Sequence, residues 1–186
     1  MLAAQGRIRV EDGLSQDEIE GLMFMREEEK LAHDVYVALH ERWGAQVFAN
    51  IAEAETEHTE AIRRLLVAHG LEDPAADTAP GEFVNADLQA LYDRLIAMGE
   101  PSLKDALAVG CLIEEIDIRD IESKKALVVD EPDIIRVYDH LLCGSRNHLR
   151  AFNRNMVQQG EIYVPTVLGQ ANWDAIANSP LEFCGS

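Results

Sequence analysis

Glu55 and His58 stand three residues apart within EAETEHTEAIRRLL, residues 53–66. Residues three apart on a helix share a face, so this spacing brings an oxygen donor beside a nitrogen donor. Iron, manganese and zinc accept that mixture. Phe48, Ile51, Ile62, Leu65 and Leu66 mark the buried side of the same helix, with Glu55 near its centre and His58 within roughly 60° of it. Glu53, Glu57 and Glu60 fall on the opposite, solvated side. The plain alternative is a core histidine held by a structural hydrogen bond.

A second apolar stripe, in SLKDALAVGCLIEEIDIRDIES, runs through Leu103, Leu107, Cys111, Ile118 and Ile121. Glu114 lies close to its middle and Asp117 on its flank one turn later, whereas Glu115 and Asp120 are expected to point more outward. An uncompensated carboxylate in such a place costs several kcal/mol, so it must be protonated, paired or bound to a cation. His148 shares a face with Ile134, Val137, Leu141 and Phe152, with Ser145 one turn before it. On the first helical stretch Leu22, Met25, Ala32, Tyr36 and Leu39 face inward. Glu28 and Glu29 flank that stripe about equally, and spacing alone does not choose between them. Tyr36 brings a phenol to the same face, either near the site or simply packed in the core.

Four long helices must position these groups, which makes the chain all-α. The first follows Ser15, an N-cap with Glu18 three residues on, and stops at Gly44. The second runs from about Val47 to His69. The third starts after Ser102, with Asp105 three residues later, and reaches about Lys125. The fourth begins near Glu131-Pro132 and ends before Gly160. Short loops within each pair make antiparallel hairpins. Between the pairs lies a segment of roughly thirty residues, long enough to cross from end to end and carrying the short helix NADLQALYDRLIAM. The expected organisation is an extension over 1–17, a four-helix bundle over 18–159 and a tail over 160–186 that packs on the bundle or on a partner subunit.

Composition narrows the function classes. The 34 acidic residues against 16 basic ones, a net charge of -18, argue against nucleic-acid binding and concentrate cations near the surface. The start, MLAAQGRIRVEDGLS, has no apolar leader segment, and no apolar run approaches the ~20 residues of a spanning helix. Cys111, Cys143 and Cys184 contain no CxxC pair. That, with the odd count, speaks against a disulfide framework, a zinc ribbon and a rubredoxin-type iron site and reads as reduced thiols in a cytoplasmic protein.

With these residues placed, the chain resembles the ferritin-like superfamily, and within it the rubrerythrin-type carboxylate proteins, in a bacterial and archaeal branch without a rubredoxin module. Such sites take a Glu from each of two helices and a Glu-x-x-His from each of two others. Glu55-x-x-His58 is similar to one such motif and Glu114 to a lone Glu. The run EEEKLAHDVY puts Glu29 in the first-helix ligand place, and Asp117 is similar to the extra carboxylate of rubrerythrins. The resemblance implies metal ligands Glu29, Glu55, His58, Glu114, Asp117 and His148, with Tyr36 as a supporting donor. It implies two iron ions, manganese or zinc being alternatives, and oxidoreductase chemistry on O2 or peroxide of ferroxidase or peroxidase type. An external electron donor and a homo-oligomer, dimer or larger, follow from the same reading. One departure stands out: the final motif reads Ser145-Arg146-Asn147-His148, with Ser where Glu is expected. The rival readings are a non-catalytic metal-binding or storage protein with an incomplete site, and a structural bundle whose polar core groups satisfy one another.

Overall fold

Residues 13–185 are described by a computed structural model. The first twelve residues, where the leader reading and most of the expected extension fall, lie outside them. Helix α1 spans Gln16–Trp43. Ser15 accepts from the Glu18 backbone N–H while the Glu18 carboxylate accepts from the Ser15 backbone N–H, so two unpaired amides of the first turn are satisfied together. Gly44, at φ 66°, closes the helix in the left-handed region and turns the chain within two residues into α2, Gln46–Ala68. The later helices are α3, Ala86–Gly99, α4, Leu103–Lys125, α5, Pro132–Gln158, and α6, Gln170–Ala177. Asn85 and Ser102 cap α3 and α4 by accepting first-turn amides, and Pro132 opens α5, where its missing N–H costs nothing. No strand occurs among the described residues, and none of their helices is long and apolar enough to cross a membrane.

Helix α1 packs chiefly on α2, and α4 on α5; α1 also meets α4, α2 meets α5, and α3 lies against α1 and α4. The buried sides share one apolar cluster. At its centre the rings of Tyr36, Phe48 and Phe152 lie 5.1–6.3 Å apart, joining α1, α2 and α5. The connection from α2 to α3 is tied to the polar side of α1. Lys30 donates to the carbonyls of Ala79 and Glu82, Asp34 accepts from the Gly81 amide, and the Glu27 carboxylate accepts the amides of Val84 and Asn85. Arg26 adds an ion pair to Asp73.

The tail packs on the helices rather than trailing away. Trp173 of α6 is buried against Tyr163, and Arg150 donates to the Ile176 carbonyl, Ser179 and Glu182. Cys143 and Cys184 form a disulfide. This corrects the expectation of three reduced thiols: only Cys111 is free, and it is buried. Two cysteines 41 residues apart carry no pairing signal until the tail folds back along α5. The argument for a cytoplasmic setting rested on reduced thiols, so that support falls away.

Gly110 lets α4 and α5 approach closely, because a Cβ there would lie 2.4 Å from Phe152 Cε1. The Phe152 ring cannot swing aside, being fully buried between Tyr36 and Phe48. Gly110→Ala is expected to destabilise the fold by about 1–3 kcal/mol through overpacking. Urea unfolding would show a lowered midpoint; an unchanged midpoint would mean that this helix contact is loose.

Candidate metal centre

The four long helices bring six of the expected ligands into one buried cluster. Glu29 comes from α1, Glu55 and His58 from α2, Glu114 and Asp117 from α4, and His148 from α5. All are buried, with Glu29, Glu55 and Glu114 fully so. Glu55 lies between the histidines, Oε2 at 2.8 Å from His58 Nδ1 and Oε1 at 2.8 Å from His148 Nδ1. His58 Nδ1 also lies 3.2 Å from Glu29 Oε2, and His148 Nδ1 lies 3.6 Å from Glu114 Oε2. The two imidazole rings stack with centroids 5.4 Å apart. Donor atoms of Glu55, His58 and His148 fall within 4.8 Å of one another, as do those of Glu55, Glu114 and Asp117. Glu55 belongs to both triplets.

Apart from the His58 Nδ1–Glu29 Oε2 pair and the Tyr36 hydroxyl on Glu114, proximity here is not hydrogen bonding. Both Glu55 oxygens, Glu29 Oε1, Glu114 Oε2, Asp117 Oδ2 and His148 Nδ1 are buried without a hydrogen-bond partner. The Glu55–histidine contacts have the distance of a hydrogen bond but not its direction. Buried polar atoms are almost always bonded, and so many orphans converging on one space fit a cation as their shared partner. Nitrogen and carboxylate oxygen together suit iron, manganese or zinc.

Small residues and aromatic groups set this geometry. A Cβ on Gly144 would lie 2.4 Å from His58 Nε2, so α5 needs glycine there for the imidazole to fit. Tyr36 donates its hydroxyl to Glu114 Oε1 at 2.6 Å, fixing that carboxylate while leaving Oε2 open. Burial raises the Tyr36 phenol, and the charge of Glu114 raises it further, so it stays a donor. Ser145 does not stand in for the expected Glu. Its hydroxyl donates to the Leu141 carbonyl of its own helix.

Two carboxylates behave differently from the helical-face reading. Glu115, expected to point outward, is fully buried. It accepts from the Tyr163 hydroxyl and from the amides of Thr166, Val167 and Leu168, anchoring the tail. Its partners come from a segment about fifty residues away, which the periodicity of α4 cannot reveal. Glu28 is buried as well as Glu29, and neither of its oxygens has a hydrogen-bond partner. Burial and the nearby Asp120 push its carboxyl well above the usual range. The even flanking of the α1 stripe by Glu28 and Glu29 reflects a helix enclosed on both sides.

The chain belongs to the family described as uncharacterized protein domain (DUF2202), which it matches over residues 18–180. It is 43% identical over 169 residues to the uncharacterized protein MJ0754 of Methanocaldococcus jannaschii, covering 91% of each chain. The crystal structure of hypothetical protein MJ0754 from Methanococcus jannaschii matches with a TM-score of 0.89 at 40% identity, over 94% of this chain and 99% of that one.

Without metal the cluster should be sensitive to pH. Burial pushes Glu29 up to about 7, opposed by His58. Burial also works against charge on His148, but Glu55 and Glu114 outweigh it and raise the imidazole to about 9. Both groups bind protons more tightly folded than unfolded, so their stabilisation is present at low pH and lost as pH rises through these values. Glu55 is held low by the two histidines against the effect of its burial, and matters only in acid. The metal-free protein is expected to melt at progressively lower temperature as pH rises from about 5 to about 9. Melting curves in chelator would check this; a melting temperature that climbs across that range would contradict it.

Proposed function

We propose that the chain is a ferritin-like four-helix carboxylate protein of rubrerythrin type that binds iron and works as an oxidoreductase on O2 or peroxide. In this reading α1–α2 and α4–α5 are its two antiparallel hairpins, and α3 lies in the crossover between them. The observation that carries it is the set of buried, unpartnered donor atoms around Glu55. Glu29, Glu55 and His58 would hold one ion, and Glu55, Glu114, Asp117 and His148 a second. Bound iron would supply electrons for reducing O2 or peroxide.

The chain's own contributions follow from its contacts. The Tyr36 hydroxyl orients Glu114 through the hydrogen bond it donates to Oε1. The cluster residues are buried, so each charge in the cluster acts in a weakly screening interior. Asp117, whose carboxylate lies within 4.8 Å of the donor atoms of Glu114 and Glu55, would supply the carboxylate that Ser145 lacks. In this reading, sustained turnover takes electrons from an external donor.

The first experiment is metal content per chain after growth with iron and purification without chelator. The expectation is about two iron ions per chain. Glu55→Gln is expected to lose most of that iron, and Asp117→Asn about half of it, with far-ultraviolet circular dichroism unchanged in both. One ion per chain, or zinc in place of iron, would favour the storage or binding reading. A folded protein that takes up no metal and refuses added Fe(II) would leave a polar core network and remove the redox assignment.

A further inference from the structure

The Cys143–Cys184 bridge lies against the outer side of the His58 pocket. Cys143 directly precedes Gly144, the residue on which the His58 ring rests. One turn earlier on α5, His140 meets the His58 ring edge-on at 5.9 Å, and its Nδ1 lies 3.0 Å from the Cys184 carbonyl oxygen. A cavity of about 630 Å3 opens beside the bridge, lined by His140, Cys143, Arg146, Phe183 and Cys184 among others. Phe183 is almost fully exposed at its rim. Cys143 is buried, whereas Cys184 is half-buried in the cavity wall, the side from which an outside thiol would approach.

The bridge is not the tail's only hold. Glu182 pairs with Arg146 and Arg150, Asn147 donates to the Glu182 carbonyl and to Cys184 Sγ, and Arg150 donates to Ser179. With these contacts in place, opening the bridge leaves the two sulfurs side by side, so little loop-closure entropy opposes its re-formation. A bond that shares its hold on the tail, faces a cavity on one side and is adjacent to a buried ligand has the features of a reversible couple.

The geometry points to Cys143–Cys184 as a redox-active disulfide that accepts electrons from an external dithiol at Cys184 and passes them, two at a time, to the buried cluster. This rests on the oxidoreductase reading above. A thiolate of the dithiol attacks Cys184 Sγ; the S–S bond breaks and Cys143 leaves as a thiolate that takes up a proton. The second thiol of the reductant resolves the mixed disulfide, so the reductant departs oxidised and Cys184 becomes a thiol. Re-forming the bridge releases two electrons and two protons, as many as one peroxide consumes when its O–O bond breaks to give two waters. The donor that the cluster requires is thereby a dithiol, and its docking place is the cavity beside Phe183.

Two measurements test this. In the metal-free, folded chain, dithiothreitol should release two thiols without loss of helicity, and oxidation should remove them again. If thiols appear only after unfolding, the bridge is a staple and the inference fails, whatever the cluster binds. In the iron-loaded chain, dithiothreitol-driven peroxide turnover in C184S should fall about tenfold or more, while a single oxidation of bound Fe(II) by peroxide stays at the wild-type level. Equal sustained turnover in C184S and wild type would overturn the inference and leave the oxidoreductase reading standing. Failure of peroxide to oxidise bound Fe(II) in either protein would remove the oxidoreductase reading, and the inference with it.

Discussion

Glu29, Glu55, Glu114 and Asp117 cannot all be ionised in a space without water unless positive charge sits among them. His58 and His148 can bring two such charges, and Glu28 adds a fifth buried carboxyl to the balance. Burial raises Glu28 and Asp117 far above the usual range, and neighbouring carboxylates raise them further. The metal-free cluster therefore holds its protons as a substitute for cations. A divalent ion bound there, as proposed, would release those protons and take up the orphaned lone pairs in one step. The helices must be packed firmly enough to keep these repelling groups together when neither protons nor metal are present.

That firmness comes from close approach rather than bulk. Gly110 and Gly144 each stand where a methyl group would strike a ring on the facing helix, Phe152 in one case and His58 in the other. Tyr36 serves both packing and polarity, its ring stacked in the aromatic cluster and its hydroxyl on Glu114. The segments outside the long helices are fixed by polar contacts at their edges. Glu27, Lys30 and Asp34 grip the connection before α3, and Glu115 gathers three amides and a phenol from the tail.

The same packing sets the route by which anything reaches the cluster. His58 faces Glu29 and Glu55 through Nδ1, and its opposite edge rests on Gly144 and His140. The disulfide and the tail lie beyond that edge. A change in the tail at Cys184 is thus one ring, that of His140, away from His58. Coupling over such a short path needs no long relay, only that α5 keep its register.

Helix periodicity alone located the faces that carry Glu55, His58, Glu114, Asp117 and His148, because a polar group amid an apolar stripe is visible in one strand of sequence. Cap chemistry at Ser15 and Ser102 marked two helix starts for the same local reason. Tertiary structure decided what depends on a partner distant along the chain. Glu115 looked solvated until the tail supplied its donors, Glu28 proved as buried as Glu29 because α1 is enclosed on both sides, and Cys143 found Cys184 only when the tail folded back. Ser145 turned its hydroxyl into its own helix, a choice set by backbone geometry that residue spacing does not encode. Periodicity reports which side of a helix avoids water; only packing reports what waits on that side.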